Sequence, residues 1–373
     1  MLQSSGTIIE KTVSPGLQVV ILSRPTCREL FVTAVPVNGE PAEAVFEKAA
    51  AVVRANEACI VSQEVFGLAD REVAGTQAFR GAFWQIRWPV TWIEPEGGMA
   101  FAGTQLWAVS GVTVNPVRLD GSIVGAVFED DYGRYCRLGV IRPTGADGTA
   151  ETQARETFEM MDTVLQETGM EFGDVVRTWF CNDDILSWYD DFNRVRNTFF
   201  GESGIYDGLV PASTGIGGRN PARTALVGGL LALKAKDANV EIVAVPSPFQ
   251  RSALQYGSSF SRAVEVAMPD HRRLFISGTA SIEPGGRTAH ADNVAGQIEL
   301  AMEIVAAILE SRGMGWSNVV RAVAYFRHPD DIPAYGRYCA DHGLPSLPVV
   351  VTNNVICRDD LLYEVEVDAV RES

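Results

Sequence analysis

The stretch that decides the fold begins with LFISGTAS at Leu274–Ser281, an apolar segment that ends in a glycine-containing turn. This pattern predicts a buried strand. In Asn293–Arg312, apolar side chains recur at helical spacing and predict an amphipathic helix. The remaining predicted elements are a strand at Asn318–Phe326 (NVVRAVAYF), a helix at Asp330–His342, and strands at Leu347–Val355 and Leu361–Val370. The predicted order of the unit is therefore β-α-β-α-β-β.

The middle of the chain repeats this order, and its segment DVVRTWF at Asp174–Phe180 matches NVVRAVAYF in pattern. The other elements predicted there are a strand at Gln105–Val112, helices at Thr152–Thr168 and Asp184–Phe200, and strands at Leu209–Ile216 and Thr224–Lys234. The N-terminal stretch repeats the order more weakly. Its predicted elements are strands at Gln18–Leu22, Leu30–Val37 and Cys59–Phe66 and a helix at Pro41–Asn56, with no clear second helix.

A short hydrophobic-proline segment recurs between the second helix and the closing strands of each unit. The three copies are Trp88-Pro89-Val90-Thr91, Val210-Pro211-Ala212-Ser213 and Leu347-Pro348-Val349-Val350. Together with the repeated element order, they predict an α+β protein of three related units. We place these units at residues 1–102, 103–245 and 250–373, with candidate linkers at Arg142–Gly148 and Val245–Phe249.

Composition and charge exclude several classes of function. The 373-residue chain carries a net charge of −16, which disfavours nucleic-acid partners because their affinity depends on clustered Lys and Arg. No run of apolar residues is long enough to span a membrane, and the N-terminus lacks a signal core. The six cysteines form no C-x-x-C pair and the four histidines form no metal motif. We therefore expect a cytoplasmic protein without metal or cofactor.

The last 120 or so residues resemble the RidA/YjgF superfamily. Its members usually assemble as trimers with active sites between subunits. The resemblance implies a chain of tandem RidA/YjgF-like (chorismate-mutase-like) units in a pseudo-trimeric arrangement. Such a chain supplies its own interfaces, so we expect a monomer or a homodimer.

Other segments resemble the chorismatases, RidA-related enzymes that remove pyruvate from chorismate. The most specific is Cys357-Arg358-x-x-Leu361-Leu362-x-Glu364. The others are Arg177-Thr178-Trp179, Tyr189…Phe192-Asn193…Arg196…Phe199, Gln255-Tyr256-Gly257…Phe260-Ser261-Arg262-Ala263 and Phe275–Ser281. The resemblance implies a small-molecule carboxylate as substrate and a hydroxybenzoate or a dihydrodiol as product.

Glu364 is the candidate proton donor to the enol ether of such a substrate. It lies among Leu361, Leu362 and Tyr363, and burial raises the pKa of a carboxyl group. On a strand, Glu364 shares a face with Glu366, and two adjacent carboxylates push one pKa upward. The residues alone favour the alternative in which both side chains face water, and the family match reverses that preference for Glu364 only.

Cys357 is the second candidate catalytic residue. In the chorismatases, the matching position helps to decide between a dihydrodiol and a hydroxybenzoate, and a cysteine there resembles the hydroxybenzoate type. A thiol can act as a soft acid or a nucleophile. The alternative is a buried apolar side chain that only fills space.

The resemblance also implies a set of substrate-binding residues. Its members are Arg262, Tyr256, Arg177, Arg196, Tyr189, Ser277, Gly278 and Gly215. Arginines suit carboxylates because their contacts can be bidentate. Arg177 lies in an apolar strand and so needs a partner or a ligand, whereas Arg196 can instead pair with Asp190 or Asp191 on its own helix. Backbone N–H groups at Ser277-Gly278-Thr279 can cradle a carboxylate.

Two other functions remain open at this point. RidA-type imine deaminases carry an arginine soon after the proline that opens the closing strands, and neither Leu347–Val355 nor Pro211–Thr214 contains one. An atypical deaminase or a non-catalytic protein that binds small carboxylates are therefore the alternatives to a chorismatase-like enzyme.

Overall fold

The architecture consists of three six-stranded sheets, each formed by one unit that also carries two helices. It was obtained as a computed structural model that describes residues 7–68, 72–83, 85–95 and 99–373, without the side chains of residues 72–76 and 256. Each unit has the order β-β-β-α-β-α-β-β. The predicted α+β class and its three repeated units are confirmed, and two further strands precede the predicted six elements.

The three units contain equivalent elements. The first comprises β1 (Ile8–Ser14), β2 (Leu17–Ser23), β3 (Arg28–Ala34), α1 (Ala42–Ala55), β4 (Cys59–Gly67), α2 (Glu72–Ala82), β5 (Val90–Ile93) and β6 (Phe101–Ser110). The second comprises β7 (Asn115–Leu119), β8 (Ser122–Glu129), β9 (Gly133–Ile141), α3 (Ala150–Glu167), β10 (Val175–Asn182), α4 (Ile185–Glu202), β11 (Ala212–Gly217) and β12 (Leu226–Ala235). The third comprises β13 (Glu241–Val245), β14 (Ala263–Ala267), β15 (His271–Ala280), α5 (Val294–Ser311), β16 (Val319–Phe326), α6 (Ile332–Asp341), β17 (Val349–Asn353) and β18 (Tyr363–Glu372).

All three sheets share one topology. The third has the order β13-β14-β15-β18-β16-β17, and the other two follow the same pattern. The last pair of each sheet is parallel, namely β4 with β5, β10 with β11, and β16 with β17. The repeated prolines Pro89, Pro211 and Pro348 each stand directly before the parallel edge strand, where a residue without an N–H group is tolerated.

Helix α5 shows why the apolar periodicity predicted the helices correctly. Ile298, Ala301, Met302 and Val305 are buried against the third sheet, on the face that the sequence pattern identified. The helix begins after Asn293, whose side chain accepts a hydrogen bond from the N–H group of Gly296 at 3.1 Å. This contact satisfies one of the free N–H groups of the first turn.

Several predicted boundaries need correction. Residues 105–110 lie in β6, which pairs with β3 and β4, so the strand expected to open the middle unit closes the first one. The candidate linkers Arg142–Gly148 and Val245–Phe249 lie within units, after β9 and at the end of β13. Using sheet membership as the criterion, we propose unit boundaries at residues 111–114 and 236–240 in place of 102/103 and 245/250.

The three units pack in a closed ring within the one chain. Strand β5 contacts β9, β11 contacts β15, and β17 contacts β3 and β6. A buried ion-pair network also joins the units. Arg24 contacts Glu29 and Asp130, each at 2.8 Å, and Arg273 of the third unit pairs with Glu29. This pseudo-trimer places a cleft between the middle and last units.

Candidate active site

A pocket in this cleft gathers most of the candidate site residues. Its wall from the middle unit contains Tyr189 and Arg196 of α4 and Ser213 and Gly215 of β11. Its wall from the last unit contains Ser258, Phe260, Arg262, Gly278, Ala280, Ile282, Cys357, Arg358 and Glu364. The expected convergence of Glu364, Cys357 and Arg262 between these two units is therefore observed, whereas their roles remain predictions.

Glu364 is held at the inner end of this pocket. It lies on β18, paired with Ala280 of β15 on one side and with Tyr325 of β16 on the other. Its exposed fraction is only 5%. Burial, reinforced by the negative charge of Glu366, raises the pKa of Glu364 to about 8, although Arg177 and Arg262 oppose the shift. The Glu364 carboxyl group is therefore mostly protonated at neutral pH.

Glu366 has the opposite electrostatic environment. It is fully buried, and its carboxylate forms ion pairs with Arg177 at 2.7 Å and Arg321 at 2.8 Å. Burial acts to raise the pKa of Glu366, but the two guanidinium groups outweigh it and lower that pKa. The pKa values of Glu364 and Glu366 are therefore shifted in opposite directions, as expected for two adjacent carboxylates. The alternative in which both side chains face water is wrong, because both are buried.

Arg177, which we expected to bind substrate, instead binds a carboxylate of the protein. Its side chain is fully buried and directed to Glu366, and it also donates a hydrogen bond to Thr214 Oγ1 at 2.7 Å. Arg177 is absent from the lining of the pocket. The partner that a buried arginine requires is thus a carboxylate of the protein, so Arg177 is placed as a structural ion-pair residue rather than a substrate ligand.

Arg262 and Arg196 both line the pocket and are almost completely buried. The Nε of Arg262 donates to the carbonyl oxygen of Arg251 at 3.0 Å, and both guanidinium groups lie within 6 Å of the Phe260 ring centroid, at 5.3 and 5.9 Å. Arg196 donates to Asn193 Oδ1 at 2.6 Å, whereas Asp191 pairs with Arg194. The two arginines therefore present positive charge next to a neutral carboxylic acid.

Cys357 and Tyr189 face each other across the pocket. The Tyr189 side chain is hydrogen-bonded to the Cys357 thiol. Burial, with the negative charge that Glu364 would carry when ionised, raises the pKa of Cys357 to about 12. The thiol is protonated at neutral pH, which does not fit a thiolate nucleophile and leaves the roles of weak acid or apolar filler. The side chain of Tyr256 lies outside the described residues.

The predicted carboxylate cradle at Ser277-Gly278 is occupied by the protein itself. The N–H group of Ser277 donates to the carbonyl oxygen of Arg262, and that of Gly278 donates to Thr214 Oγ1, both at 3.0 Å. Ser277 is fully buried, and its hydroxyl connects Ser213 with Ser261. The role of Ser277 and of these N–H groups as ligands is therefore wrong.

Gly278 lines the pocket for a different reason. A Cβ atom at Gly278 would overlap Oε1 of Glu364, so only glycine leaves room for the acid in its present position. At Gly215, by contrast, a Cβ atom would meet the Tyr189 ring at 3.6 Å, an ordinary van der Waals contact.

The structure adds six pocket residues that had no assigned role: Ser213, Ser258, Phe260, Ala280, Ile282 and Arg358. Arg358 and Phe260 belong to the quoted motif segments, so a signal for them was present. Ser213 belongs to the repeated proline segment. No sequence pattern predicts that Ser258 lines the pocket, because its position depends on the path of the loop before β14.

Only one of three equivalent positions carries an acid. Counted along the strand pair from its β-bulge, the position of Glu364 opposite Tyr325 in the third unit is taken by Val227 opposite Cys181 in the second and by Gly103 opposite Phe66 in the first. The three clefts of the pseudo-trimer are thus chemically unequal, and the cleft between the middle and last units is the one with a proton donor at this position.

Comparison with known proteins agrees with this fold. The endoribonuclease L-PSP family model matches residues 140–246 and 251–371. A chorismatase from Streptomyces rapamycinicus is 32% identical over 254 residues, which are 61% of this chain and 73% of that protein. A 3-hydroxybenzoate synthase from Streptomyces hygroscopicus is 27% identical over 269 residues, which are 65% of this chain and 75% of that protein.

A chorismatase crystal structure also shares the fold, with a TM-score of 0.62 and 21% identity over 96% of this chain and 100% of that chain. The shared fold therefore includes the divergent first unit. The chain belongs to the endoribonuclease L-PSP superfamily of RidA/YjgF-like proteins and, within that class, to the chorismatase family. The resemblance inferred from the sequence motifs is confirmed.

The described residues contain no group of three or more His, Cys, Asp or Glu side chains arranged to hold a metal ion. None of the helices within the described ranges is long and apolar enough to cross a membrane.

Proposed function

We propose that this protein is an active chorismatase that releases pyruvate from chorismate and gives a hydroxybenzoate. The observation that carries the proposal is the buried, protonated Glu364 in a pocket that also contains Arg262 and Arg196. Chorismate offers matching groups, because it is an enol ether with two carboxylates. The names of the two Streptomyces relatives support the same reaction.

The first chemical step is protonation of the enolpyruvyl methylene carbon by Glu364. The π electrons of the C=C bond form the new C–H bond, and positive charge develops on the carbon that bears the ether oxygen. The Glu364 carboxylate left behind faces this cation and stabilises it. Because burial keeps Glu364 neutral before the step, the proton is available at neutral pH.

Water then adds to the cationic carbon, and its proton returns to Glu364. The resulting hemiketal breaks its bond to the ring oxygen, and its own hydroxyl proton passes to that oxygen. Pyruvate and a ring diol result. Loss of one water molecule aromatises the ring to a hydroxybenzoate, so the water taken up is given back. Without this last loss, the product is the dihydrodiol.

Cys357 supports the hydroxybenzoate outcome by resemblance to that type of chorismatase. Its thiol is protonated and held by Tyr189, so we assign it as a weak acid beside the ring rather than as a nucleophile. Arg262 and Arg196 hold substrate carboxylate by charge-assisted hydrogen bonds. The Arg262 guanidinium also lies close enough to lower the pKa of Glu364.

The direct test is incubation with chorismate, with pyruvate detected through lactate dehydrogenase and NADH and the ring product identified by chromatography. We expect equal amounts of pyruvate and a hydroxybenzoate. Binding of chorismate in calorimetry without any turnover would contradict the proposal and favour a non-catalytic carboxylate-binding protein. Turnover of an imine but not of chorismate would instead favour a deaminase.

The pH dependence of the rate should report the ionisation of Glu364. Since the neutral acid is the active form and its pKa is about 8, kcat should fall about tenfold for each pH unit well above that value. The measurement is the initial rate of pyruvate release between pH 6 and pH 10. A rate that rises through pH 8 would show that an ionised base, and not a neutral acid, is required.

Gly278→Ala should reduce kcat on the order of 10- to 100-fold, because the new methyl group displaces the Glu364 carboxyl from its productive position. The control is Gly336→Ala, at an exposed position in α6 outside the pocket, which should change kcat less than about threefold, since its methyl group would meet nothing within 4 Å. Steady-state kinetics with thermal unfolding of both variants is the measurement. Equal rates for the two variants would contradict the assigned position of Glu364.

We also propose that the protein is a monomer or a homodimer, binds no nucleic acid and is cytoplasmic. The three units bury against one another the surfaces that separate subunits would share, which supports a monomer or homodimer. Net charge of −16 supports the expectation of no nucleic-acid partner, and a cytoplasmic location agrees with free cysteines in the described residues.

A further inference from the structure

The active-site pocket continues into a wider outer vestibule. The inner chamber contains Glu364 and has a volume of about 50 Å³, whereas the vestibule has a volume of about 430 Å³. The vestibule is lined mainly by α4 and by the loop before β14. Four residues line both spaces and form a throat between them: Tyr189, Ser258, Cys357 and Arg358.

The size of the inner chamber limits which part of a substrate can occupy it. An apolar cavity of about 150 Å³ accommodates one benzene molecule. The inner chamber is about a third of that size, so chorismate cannot lie wholly inside it and part of the molecule must extend into the throat and the vestibule. The chemistry decides which part points inward, because Glu364 lines only the inner chamber and must reach the enolpyruvyl methylene. The ring then lies in the throat and the vestibule.

Arg358 is the cation placed beside a ring in this position. It is half-buried, and its Nη1 donates to the carbonyl oxygen of Gly286 at 2.8 Å, which fixes the side chain. Its charge acts on the neighbouring Cys357 thiol and lowers the pKa of that thiol against the effect of burial. Among the described residues, no carboxylate forms an ion pair with Arg358, since Asp359 pairs with Arg327 and Asp360 accepts from Thr288. A guanidinium group has five N–H donors, so several remain for a ligand.

We infer that chorismate binds with its enolpyruvyl group in the inner chamber and its ring in the throat, where Arg358 holds the ring carboxylate. This inference rests on the proposed function. Arg358 is then a substrate-binding residue for the ring carboxylate. Arg262 and Arg196 bind the other carboxylate, which belongs to the enolpyruvyl group.

The orientation fixes the order of product release. After cleavage, pyruvate lies behind the ring product, and the throat is the route by which both spaces connect. The ring product therefore leaves first and pyruvate leaves last. In an ordered release, the last product competes with substrate for the free enzyme, whereas the first product does not.

Product inhibition tests this order. Initial rates are measured against chorismate at several concentrations of added pyruvate, with the ring product followed by chromatography, and then at several concentrations of the isolated ring product. We expect pyruvate to be competitive and the ring product to be noncompetitive. The reverse pattern, or competition by both products, overturns the inference while leaving the proposed function intact. If chorismate is not turned over at all, both the inferred orientation and the proposed function are wrong.

Arg358→Gln tests the carboxylate contact. We expect KM for chorismate to rise about tenfold or more with a smaller change in kcat, since the contact is made in the ground state and in the transition state alike. The matched control is Arg287→Gln, which removes an arginine next to Gly286 that is 84% exposed and paired with Glu283. Its KM should stay within about twofold of the original value. An unchanged KM in Arg358→Gln, with unaltered thermal unfolding, would overturn the assignment.

Discussion

Glu364→Gln should lower kcat for pyruvate release on the order of 10²- to 10⁴-fold with little change in substrate binding. Glutamine keeps the shape and the hydrogen-bonding capacity of the acid but has no transferable proton. The loss should lie in kcat because the proton is needed chiefly in the transition state. Steady-state kinetics, with calorimetric titration of chorismate into the variant, measure the two effects separately.

The stability of Glu364→Gln at high pH shows whether a loss of activity comes from misfolding. The folded-state pKa of Glu364, about 8, lies above the ordinary value of 4.5. The proton therefore stabilises the folded state fully at acidic pH, and this contribution is lost as the pH rises through about 8. Glu364→Gln should consequently be more stable than the unmodified protein at pH 9, by an amount of up to about 5 kcal/mol. Normal turnover by this variant would show that the proton donor is misassigned.

Glu366→Gln should lower the free energy of unfolding by about 3–5 kcal/mol, because it leaves Arg177 and Arg321 buried without their shared counter-charge. Denaturant unfolding at neutral pH measures the change. The matched control is Glu129→Gln, which breaks a surface pair with Arg134 and Lys236 and should cost at most about 1 kcal/mol. Equal stability of the two variants would contradict the buried ion pair.

The effect of Glu366→Gln on activity should differ in kind from that of Glu364→Gln. The negative charge of Glu366 helps to raise the pKa of Glu364, so its removal lowers that pKa. The folded variant should stay active at mildly acidic pH, and its rate should fall away at a lower pH than that of the unmodified protein. Loss of activity at every pH in a folded variant would mean that Glu366, and not Glu364, is the proton donor.

The elements with strong local patterns could be predicted from the sequence. Helix α5 was found because its apolar residues recur at helical spacing, and β16 because it is a short segment whose residues are apolar or aromatic except for Arg321. Helix α2 was missed because glycine and threonine in its middle, Gly75 and Thr76, weaken the helical signal. Strand β6 was assigned to the wrong unit because its pairing with β3 joins residues 70 to 82 positions apart in the chain.

The candidate site was predictable to the extent that motifs carried it. Glu364 and Cys357 came from one string, and the pocket contains both. The roles of Glu366 and Arg177 could not be separated by sequence, because their ion pair joins residues 189 positions apart. The burial of Glu364 was likewise open, since an alternating strand shows which residues share a face but not which sheet or unit covers that face.

The central claim is that Glu364 delivers a solvent-exchangeable proton to the enolpyruvyl methylene. Its most direct test is turnover of chorismate in D₂O, with the pyruvate trapped as lactate by lactate dehydrogenase and analysed by mass spectrometry. We predict one deuterium atom in the methyl group of the trapped product, because the carboxyl proton of Glu364 exchanges with solvent before each turnover. Trapped product with an unlabelled methyl group would contradict it, since the hydrogen would then have come from the substrate ring and not from Glu364.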